Sequence, residues 1–361
     1  MSPEQSPIPF EGLSLDGERV MLIGGAGFIG HHLALALRAK GAEVMVVDHM
    51  QINNIVKVVS DPDLEPARRQ LYVNFLLDRF DLMREAGVHL ENVDGRMLAE
   101  FTTVFNDFLP TKAVHLAAIS SAVTANQMPG LAYDLQITSL RNLLELCRLK
   151  GSVCNQVVFM SSSTVYGDFE SDSVDESIRP QPRGVYANGK YMGERMVREA
   201  KQLYGLDYTI VRPSALYGIR CISGRVTQKF IENALMGRPL LLEGGGGGML
   251  DFTHIDDLVE GITRAMVLEG GLSRTFNITF GNARTIAELA AIIKALLPEV
   301  VLEERPPAPE KPKRGTLEID RAREFLGFVP SRALDTGYRD YCAWYIEQWQ
   351  RVTSQSNAAL V

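Results

Sequence analysis

Residues 20–50, VMLIGGAGFIGHHLALALRAKGAEVMVVDHM, contain the feature that most restricts how this chain folds. An apolar run is followed by spaced glycines, a segment with helical periodicity, a second apolar run and an aspartate. Short apolar runs predict buried strands, and two such runs around a helix predict parallel strands joined by a crossover helix. This stretch therefore predicts a βαβ unit whose first turn contains Gly24, Gly27 and Gly30.

The spacing of the three glycines, G-x-x-G-x-x-G, indicates a ligand with a pyrophosphate. Bare backbone lets main-chain N–H groups and the helix N-terminus approach that group, whose negative charge the helix dipole favours. Asp48 lies at the predicted end of the second strand, where a carboxylate accepts hydrogen bonds from the ribose hydroxyls of an adenosine. No Arg or Lys follows before Lys57, so we expect NAD rather than NADP. A tight turn without ligand is the alternative, and the order of strand, glycines, helix and acid argues against it.

Strands and helices continue to alternate after this unit. Apolar runs at 113–117 and 157–160 predict further buried strands, and residues 131–149 form an amphipathic helical pattern. Apolar strands that alternate with helices imply a parallel sheet covered on both faces. We therefore expect an α/β protein with a Rossmann-type, doubly wound parallel sheet. Residues 51–88 are longer than a link between strands needs and predict a helical insert.

The pattern changes near Arg212, because prolines and glycines, including the run Gly244–Gly248, interrupt the alternation. We expect residues 18–211 to form the dinucleotide-binding domain, to which residues 254–275 return. Residues 212–253 and 276–350 are predicted to form a smaller, partly irregular C-terminal substrate domain. Residues 1–17 and 352–361 are predicted to be flexible tails.

Composition excludes several classes of function. The chain has 361 residues, 46% of them hydrophobic and 22% charged, which predicts a globular protein with a substantial core. A net charge of −7 provides no positive field for nucleic acid. No apolar stretch reaches the roughly 18 to 20 residues that span a bilayer, and the N-terminal residues lack a signal peptide pattern, so we expect no membrane association and a cytoplasmic location.

The cysteines also bear on function. They do not have the spacing of metal ligands, so we expect buried, reduced thiols and no metal site. The four are Cys147, Cys154, Cys221 and Cys342.

Two segments carry the chemistry. In GVYANGKYMGE, Tyr186 and Lys190 are one helical turn apart and face the same side. A phenol with a pKa near 10 is a poor base, and we expect a neighbouring ammonium and the positive nicotinamide to favour its phenolate. Tyr186 is thus the predicted proton acceptor from a sugar or alcohol hydroxyl, and Lys190 is also expected to bind the nicotinamide ribose. The other segment, VVFMSSSTVYGD, follows a predicted strand, so its hydroxyls emerge where ligands bind in such sheets.

Two polar residues are open to different interpretations. Asp94, in the sequence DGR, either lies near the adenine at the end of the third strand or is a surface turn acid. His115 lies between apolar neighbours, which is typical of a hydrogen-bonded core histidine rather than of a catalytic one. The backbone at Ala117 and Ala118 is the more favourable neighbour for the cofactor.

The sequence blocks GGAGFIG, HLAA, SSSTVYG, YANGK, RPSALYG and DFTHIDDLVEGI resemble, in order, those of the extended short-chain dehydrogenase/reductase family. The resemblance covers roughly residues 18–350 and is specific to the NAD-dependent nucleotide-sugar epimerases and dehydratases. It implies that Ser162 provides the catalytic hydroxyl beside Tyr186 and Lys190. Dehydratases of the family usually carry Asp and Glu where this chain has Ser163 and Thr164, which argues against loss of water.

The resemblance implies a function. We expect an NAD-dependent epimerase of a nucleotide-diphosphate sugar that acts at C4 through a keto intermediate, similar to UDP-glucose 4-epimerases. Alternatives are a nucleotide-sugar oxidoreductase or ketoreductase, a dehydratase or decarboxylase of the same fold, and a catalytically idle NAD sensor or scaffold. The resemblance also implies a homodimer formed through helices at 131–149 and 186–204.

Two positions depart from the family pattern. Leu250 replaces an Arg that often contacts the diphosphate, and Ala215 replaces an Asn that commonly contacts the substrate. Arg225 and Arg314 are candidates for the missing diphosphate contact, and each is alternatively a solvated charge.

The predicted site residues fall into three groups. Those expected to bind the cofactor are Gly24, Gly27, Phe28, Ile29, Gly30, Asp48, Asp94, Gly95, Leu116, Ala117, Ala118, Tyr186, Lys190 and Pro213. Those expected to bind the substrate are Ser120, Ser162, Ser163, Thr164, Arg225 and Arg314. Those expected to be catalytic are Ser162, Tyr186 and Lys190.

Overall fold

The structure is a computed structural model that describes residues 9–51, 54–307 and 312–358. The strands are β1 (Arg19–Ile23), β2 (Glu43–Val47), β3 (His89–Glu91), β4 (Lys112–His115), β5 (Gln156–Met160), β6 (Ser173–Val174), β7 (Asp207–Arg212), β8 (Leu216–Tyr217), β9 (Leu240–Glu243), β10 (Met249–Leu250), β11 (Thr253–His254), β12 (Arg274–Asn277), β13 (Arg284–Thr285), β14 (Leu302–Arg305) and β15 (Thr316–Leu317). The helices are α1 (Phe28–Ala39), α2 (Ile55–Ser60), α3 (Pro66–Glu85), α4 (Leu98–Phe108), α5 (Ala122–Gln127), α6 (Pro129–Tyr133), α7 (Ser139–Arg148), α8 (Gly184–Tyr204), α9 (Val226–Leu235), α10 (Ile255–Val267), α11 (Ile286–Leu296), α12 (Asp320–Leu326) and α13 (Arg339–Ala358).

Seven of the strands form one parallel sheet in the order β12-β7-β5-β4-β1-β2-β3. The strand order reverses between β1 and β4, where Ile23 pairs with Val47 on one side and with His115 on the other. Ligands of such sheets bind outside the carboxyl ends of the strands at this reversal point. The predicted α/β, Rossmann-type fold is therefore confirmed. The strand predicted at 113–117 is too long, since β4 ends at His115 once Leu116 N–H has bonded to Ile23 O.

Alternating side chains of the sheet build one apolar core on each face. In β1, Val20 and Leu22 pack with α1 and α10, whereas Met21 and Ile23 pack with α4, α7 and α8. All four are buried, as expected of a parallel strand covered on both sides. The two cores fix the sheet, and with it the edge at which the strands end.

The helical predictions outside the first unit are also confirmed. The insert contains α2 and α3, and residues 52–53 lie outside the described part of the chain. The predicted helix at 131–149 consists of α6, a π-helical turn at Asp134–Thr138 and α7, which follow one another without a break. This long helix lies beside α8 against one face of the sheet.

An aromatic cluster forms the core of the region that follows the sheet. Its largest buried members are Tyr217, Phe252, Tyr338, Tyr341 and Tyr345. Helices α9, α11 and α13 surround this cluster, and α3 of the insert joins it, because Phe75 stacks on Trp344 with ring centroids 5.0 Å apart. The insert thus connects the two regions of the molecule. The predicted domain boundaries remain predictions.

The predicted tails are partly wrong. Leu13 and Leu15 are buried, and Leu15 N–H donates to Lys40 O, so residues close to β1 already belong to the core. At the other end α13 continues to Ala358, and Val352 packs into the aromatic cluster. Both segments are ordered because their apolar side chains pack into a core. Residues 1–8 and 359–361 lie outside the described residues.

Candidate active site

Two adjoining cavities open at the carboxyl ends of β1, β4 and β5. The cofactor cleft, as we call the first, is lined by the glycine turn, Asp48 and the loop after β4. The substrate cleft, of about 390 Å³, is lined by residues after β5, by Tyr186 and by the segment after β7. Both cavities share Ile29, Ala118 and Arg225 in their lining, so they form one continuous groove.

The glycine turn is packed too closely for side chains. Gly24 has φ +76°, and a Cβ there would lie 2.7 Å from Ala117 N. A Cβ on Gly30 would collide with the backbone of Gly25. Helix α1 starts at Phe28 with Gly27 as its N-cap, and no side chain caps its first amide groups. This turn therefore offers backbone N–H groups and a positive helix end to a pyrophosphate, which fits the predicted dinucleotide.

Asp48 lies where β2 ends and faces the cofactor cleft. Its carboxylate accepts hydrogen bonds from Ala26 N (3.1 Å) and Met50 N (2.9 Å). Burial raises the pKa of Asp48, and these two hydrogen bonds oppose that shift. The same carboxylate thus holds the glycine turn in place and retains acceptor capacity for ribose hydroxyls.

Asp94 combines both interpretations of its role. Its carboxylate accepts from Arg96 N, as in a turn, and from the Arg96 guanidinium, and it also lines the cofactor cleft. Burial opposes its ionisation, but the Arg96 hydrogen bonds dominate the sum and hold the pKa of Asp94 below its usual value. His49 Nε2 lies 3.7 Å from the same carboxylate. Asp94 is therefore an ionised carboxylate whose charge is balanced by Arg96, and it lies in the cleft as a hydrogen-bond acceptor.

His115 is a core residue, as predicted. It is fully buried, its Nε2 lies 2.7 Å from Ser139 Oγ, and its ring stacks on Phe159 with a centroid distance of 5.8 Å. Burial lowers the pKa of His115 to about 3. The ring is therefore neutral at ordinary pH.

The hydroxyls after β5 are gathered in one tight turn. Ser162 caps a 3-10 turn that starts at Ser163, and its Oγ accepts from Thr164 N (3.2 Å) and Thr164 Oγ (3.0 Å). All three side chains line the substrate cleft. Since Ser162 Oγ accepts two local bonds, its own proton is available as a donor, to Tyr186 in this structure and to a substrate oxygen when one is bound.

Tyr186 and Lys190 lie on the first two turns of α8 and line the same cleft. Lys190 Nζ donates to Met160 O at 2.7 Å and lies 5.8 Å from the centre of the Tyr186 ring. Burial lowers the pKa of Lys190 to about 7. The pair is thus held at the end of β5, next to Ser162.

The electrostatics of Tyr186 differ from the prediction. Burial raises the pKa of the Tyr186 phenol, whereas the Arg225 charge and a hydrogen bond from Ser162 oppose this shift. In the protein without ligands Lys190 does not contribute to the phenol pKa, and the combined effect of Lys190 and the nicotinamide stays a prediction. The reason is that the amine, with a pKa of about 7, is already neutral at the higher pH at which the buried phenol ionises. The positive charge that lowers the pKa of the phenol is that of Arg225.

A buried ion pair beneath the site escaped the sequence analysis. Arg212 donates to both carboxylate oxygens of Glu194 (2.8 and 2.7 Å), and Ser161 Oγ donates to the same carboxylate (2.7 Å). Glu194 is four residues after Lys190 on α8, so this pair fixes the helix that carries Tyr186 to the ends of β5 and β7. The helical spacing from Lys190 is the signal by which Glu194 could be recognised.

The two candidate arginines both reach the substrate cleft. Arg314 donates to Gly167 O, its guanidinium lies 5.6 Å from the centre of the Phe169 ring, and burial lowers its pKa. Arg225 precedes α9 and lines both cavities. Arg314 is therefore held by the protein, whereas Arg225 is half-buried at the cavity wall, and the roles of both as diphosphate contacts stay predictions.

The two departures from the family pattern also face this cavity. Leu250 and Ala215 line the substrate cleft, and Ala215 has φ +33°. A positive φ is unfavourable for Ala and is better tolerated by Asn or Gly.

The structure brings the whole predicted set together, since every predicted cofactor, substrate and catalytic residue lines one of the two cavities. Residues that the sequence analysis missed also line them. Those in the cofactor cleft include His49, Gln51, Val93, Leu135, Ser139, Ile222 and Ser223. Those in the substrate cleft include Met160, Ser161, Ser214, Val226 and Thr227. Ile222 and Ser223 come from a loop without a motif, so no signal in the sequence identifies them.

Across residues 9–51, 54–307 and 312–358, none of the helices combines the length and the apolar character that a bilayer crossing requires.

Known proteins share this sequence and architecture. The signature of the NAD dependent epimerase/dehydratase family matches residues 20–279. UDP-glucuronate 4-epimerase 1 of Arabidopsis thaliana is 29% identical over 354 residues, which cover 92% of this chain and 78% of that protein. UDP-glucuronic acid decarboxylase 2 of the same organism is 29% identical over 337 residues, with 90% of this chain and 68% of that protein covered.

Solved structures give the same picture. The crystal structure of UDP-glucose 4-epimerase from Thermus thermophilus in complex with NAD has a TM-score of 0.74 and 25% identity, and the match covers 92% of this chain and 99% of that one. Epimerisation and decarboxylation are thus both represented among the similar proteins.

Proposed function

This chain belongs to the NAD dependent epimerase/dehydratase family, and on that premise we propose that it interconverts two C4 epimers of a UDP-sugar. NAD, the dinucleotide of the family, supplies a hydride acceptor when it is bound. The similar proteins described above whose names specify a nucleotide act on UDP-sugars, and two of them are 4-epimerases. This supports the nucleotide and the position of the reaction on the sugar.

One observation carries the proposal. Ser162, Tyr186 and Lys190 line a single cavity that is continuous with the cofactor cleft. Within the described part of the chain, the lining of the substrate cleft contains no Asp or Glu, and Ser163 and Thr164 occupy the positions next to Ser162. Elimination of water requires a general acid and a base beside the sugar, and hydroxyls serve poorly in both roles.

The protein groups have distinct tasks in this proposal. Tyr186 accepts the proton of the C4 hydroxyl, and Ser162 donates a hydrogen bond to the same oxygen. Arg225 favours the phenolate of Tyr186 by its charge, which counteracts the effect of burial on the phenol pKa. Lys190, which is held by Met160 O, would bind the ribose next to the nicotinamide. After the sugar has turned within the cleft, Tyr186 would return the proton to the C4 oxygen.

Arg225 and Arg314 are proposed to hold the diphosphate in place of the arginine that Leu250 replaces. Both guanidinium groups line the cleft, and arginine suits bidentate contact with phosphate oxygens. We expect Arg314→Met to raise KM for the UDP-sugar about tenfold with little change in kcat, since a diphosphate contact stabilises the ground state and the transition state equally. The neighbouring Lys313→Met is the matched control, because Lys313 is exposed, and it should leave KM unchanged. Equal KM values for Arg314→Met and the wild type would refute the anchor.

A homodimer is also proposed, through the helices that the family resemblance implies. Apolar side chains on and near α8 are exposed in the single chain, among them Val123, Met192, Leu203 and Tyr204. An interface between copies would remove them from water. Sedimentation equilibrium should give twice the mass of one chain, and a monomer at micromolar concentration would refute this arrangement.

A direct experiment tests the activity. Purified protein is incubated with UDP-glucose or UDP-glucuronate without added cofactor, and the products are followed by proton NMR of the anomeric signals. The proposal predicts the C4 epimer with unchanged mass. Decarboxylation would release carbon dioxide, dehydration would yield a 4-keto sugar, and a requirement for added NAD(P)H would indicate net redox chemistry. Any of these three outcomes would overturn the proposal.

A further inference from the structure

A buried group of basic side chains lies behind the cofactor cleft and has no place in the chemistry described above. It consists of the buried residues His31 and His32 at the start of α1 and Arg79 of the insert helix α3, together with the half-buried Arg220. Arg220 belongs to residues 218–225, which follow β8 and precede α9; we call them the cleft loop. The cleft loop carries Ile222, Ser223 and Arg225 into the lining of the cofactor cleft.

His31 connects the glycine turn to the cleft loop. Its Nδ1 lies 3.0 Å from Gly27 O, and since a carbonyl only accepts, Nδ1 carries the proton. The other ring nitrogen, Nε2, therefore accepts the hydrogen bond from Arg220 Nε at 3.2 Å. Burial lowers the pKa of His31 well below its usual value, which keeps this neutral donor and acceptor form. One ring thus joins two segments that are 189 residues apart in sequence.

His32 and Arg79 hold the backbone of the same loop. His32 Nε2 donates to Ile219 O at 3.1 Å, and Arg79 Nη2 donates to Arg220 O at 2.5 Å. The two histidine rings pack with centroids 4.0 Å apart, and Phe28, which lines the cofactor cleft, packs edge-on against His32. Arg220 has φ +58°, so its backbone is held in a conformation that L-residues rarely adopt.

We infer that His31, His32 and Arg79 are positioning residues that hold the cleft loop over the cofactor cleft and so slow the release of the dinucleotide. The inference rests on the proposed function only for the identity of that dinucleotide as NAD. The loop contributes side chains to the cleft, and its residues 218–225, all of them described, belong to neither a strand nor a helix. The three bonds to Ile219 O, Arg220 O and the Arg220 side chain hold the first half of the loop. Its second half is held by the bond from Ser223 N–H to Gln228 Oε1 at 2.7 Å.

The test compares two substitutions of His32 in the holoenzyme. His32→Leu removes the donor to Ile219 O but keeps an apolar side chain of similar size, whereas His32→Gln keeps an N–H donor at a similar reach. The rate at which bound NAD exchanges for radiolabelled NAD is measured for each, together with the melting temperature. We expect exchange about tenfold faster in His32→Leu and within about twofold of wild type in His32→Gln.

A second variant keeps the test decisive if His32→Leu does not fold. Arg220→Asn removes the bond to His31 Nε2, and Asn tolerates the positive φ at this position. Its exchange rate should rise about threefold or more at an unchanged melting temperature. Wild-type exchange rates in His32→Leu and Arg220→Asn would overturn the inference, as would equal acceleration by Leu and Gln at position 32. A wild-type protein that exchanges NAD yet converts no UDP-sugar would refute the proposed function alone.

Discussion

The cofactor cleft and the substrate cleft lie side by side but are built in different ways. The cofactor cleft depends on backbone: Gly24 and Gly30 leave no room for a Cβ, and Asp48 binds Ala26 N of the same turn. The substrate cleft depends on side chains brought from β5, α8, the segment after β7 and the loop that contains Arg314. A backbone site tolerates little change, whereas a side-chain site is free to vary in what it binds.

The departures from the family pattern follow this division. Leu250 and Ala215 both face the substrate cleft, and neither change lies in the glycine turn. Under the proposed function, the chain shares hydride transfer with its family, and Arg225 and Arg314 replace the usual anchor of the substrate.

The largest effect is expected in the substrate cleft. Tyr186→Phe removes the proton acceptor and should lower kcat about a thousandfold, within the range that general bases contribute. The affinity for NAD should change little, because the phenol hydroxyl is not part of the glycine turn. Steady-state kinetics and calorimetric titration with NAD measure the two quantities. Activity close to wild type would mean that another group accepts the proton.

In the cofactor cleft we expect the opposite result, in which a substitution mainly weakens the binding of NAD. Asp48→Ala removes a carboxylate that holds the glycine turn and faces the cleft, and should weaken NAD binding about ten- to hundredfold. Asp94→Asn is the matched variant. Its effect should be smaller, since Arg96 already pairs with that carboxylate. An unchanged dissociation constant in Asp48→Ala would contradict the geometry of this cleft.

The buried amine of Lys190 should make the free energy of unfolding depend on pH. The pKa of Lys190 is about 7 in the folded protein and about 10.4 when unfolded. Between these values the unfolded chain binds more protons, so the free energy of unfolding rises with pH. Relative to Lys190→Met, nucleotide-free wild type should gain roughly 1 to 3 kcal/mol between pH 7 and pH 10. Parallel pH profiles of the two proteins would show that the ammonium is solvated.

The smallest effect concerns backbone strain in the substrate cleft. Ala215 has φ +33°, a conformation that is strained for Ala. Replacement by Gly should relieve this strain by more than the entropic cost of Gly. The free energy of unfolding should therefore rise by up to about 1 kcal/mol. Ala99→Gly in α4 is the control and should lose about 1 kcal/mol, because Ala99 is exposed in a helix. Urea denaturation measures both. Equal losses in the two variants would mean that Ala215 is unstrained.

The sequence allowed much of the cofactor cleft to be predicted, for a physical reason. A pyrophosphate site requires its strand, glycines, helix and acid within one short segment, so Gly24, Gly27, Gly30 and Asp48 are visible as a motif. Ser162, Tyr186 and Lys190 were accessible through motif spacing and family resemblance. Their convergence on one cavity depends on the sheet order, which brings the end of β5 beside α8.

Other features depend on contacts that no local pattern encodes. Ile222 and Ser223 reach the cofactor cleft through a loop that is held by His32 and Arg79, which come from distant elements. The raised pKa of Tyr186 also follows from burial, which the spacing of Tyr186 and Lys190 does not reveal. Long-range packing decides both.

The central claim is that the hydride removed from C4 returns to C4 of the same sugar. A UDP-sugar carrying deuterium at C4 tests this most directly, with catalytic protein and no added cofactor. The account predicts that the C4 epimer forms with its deuterium retained. Loss of deuterium from C4, or its accumulation in free nicotinamide cofactor, would contradict the account.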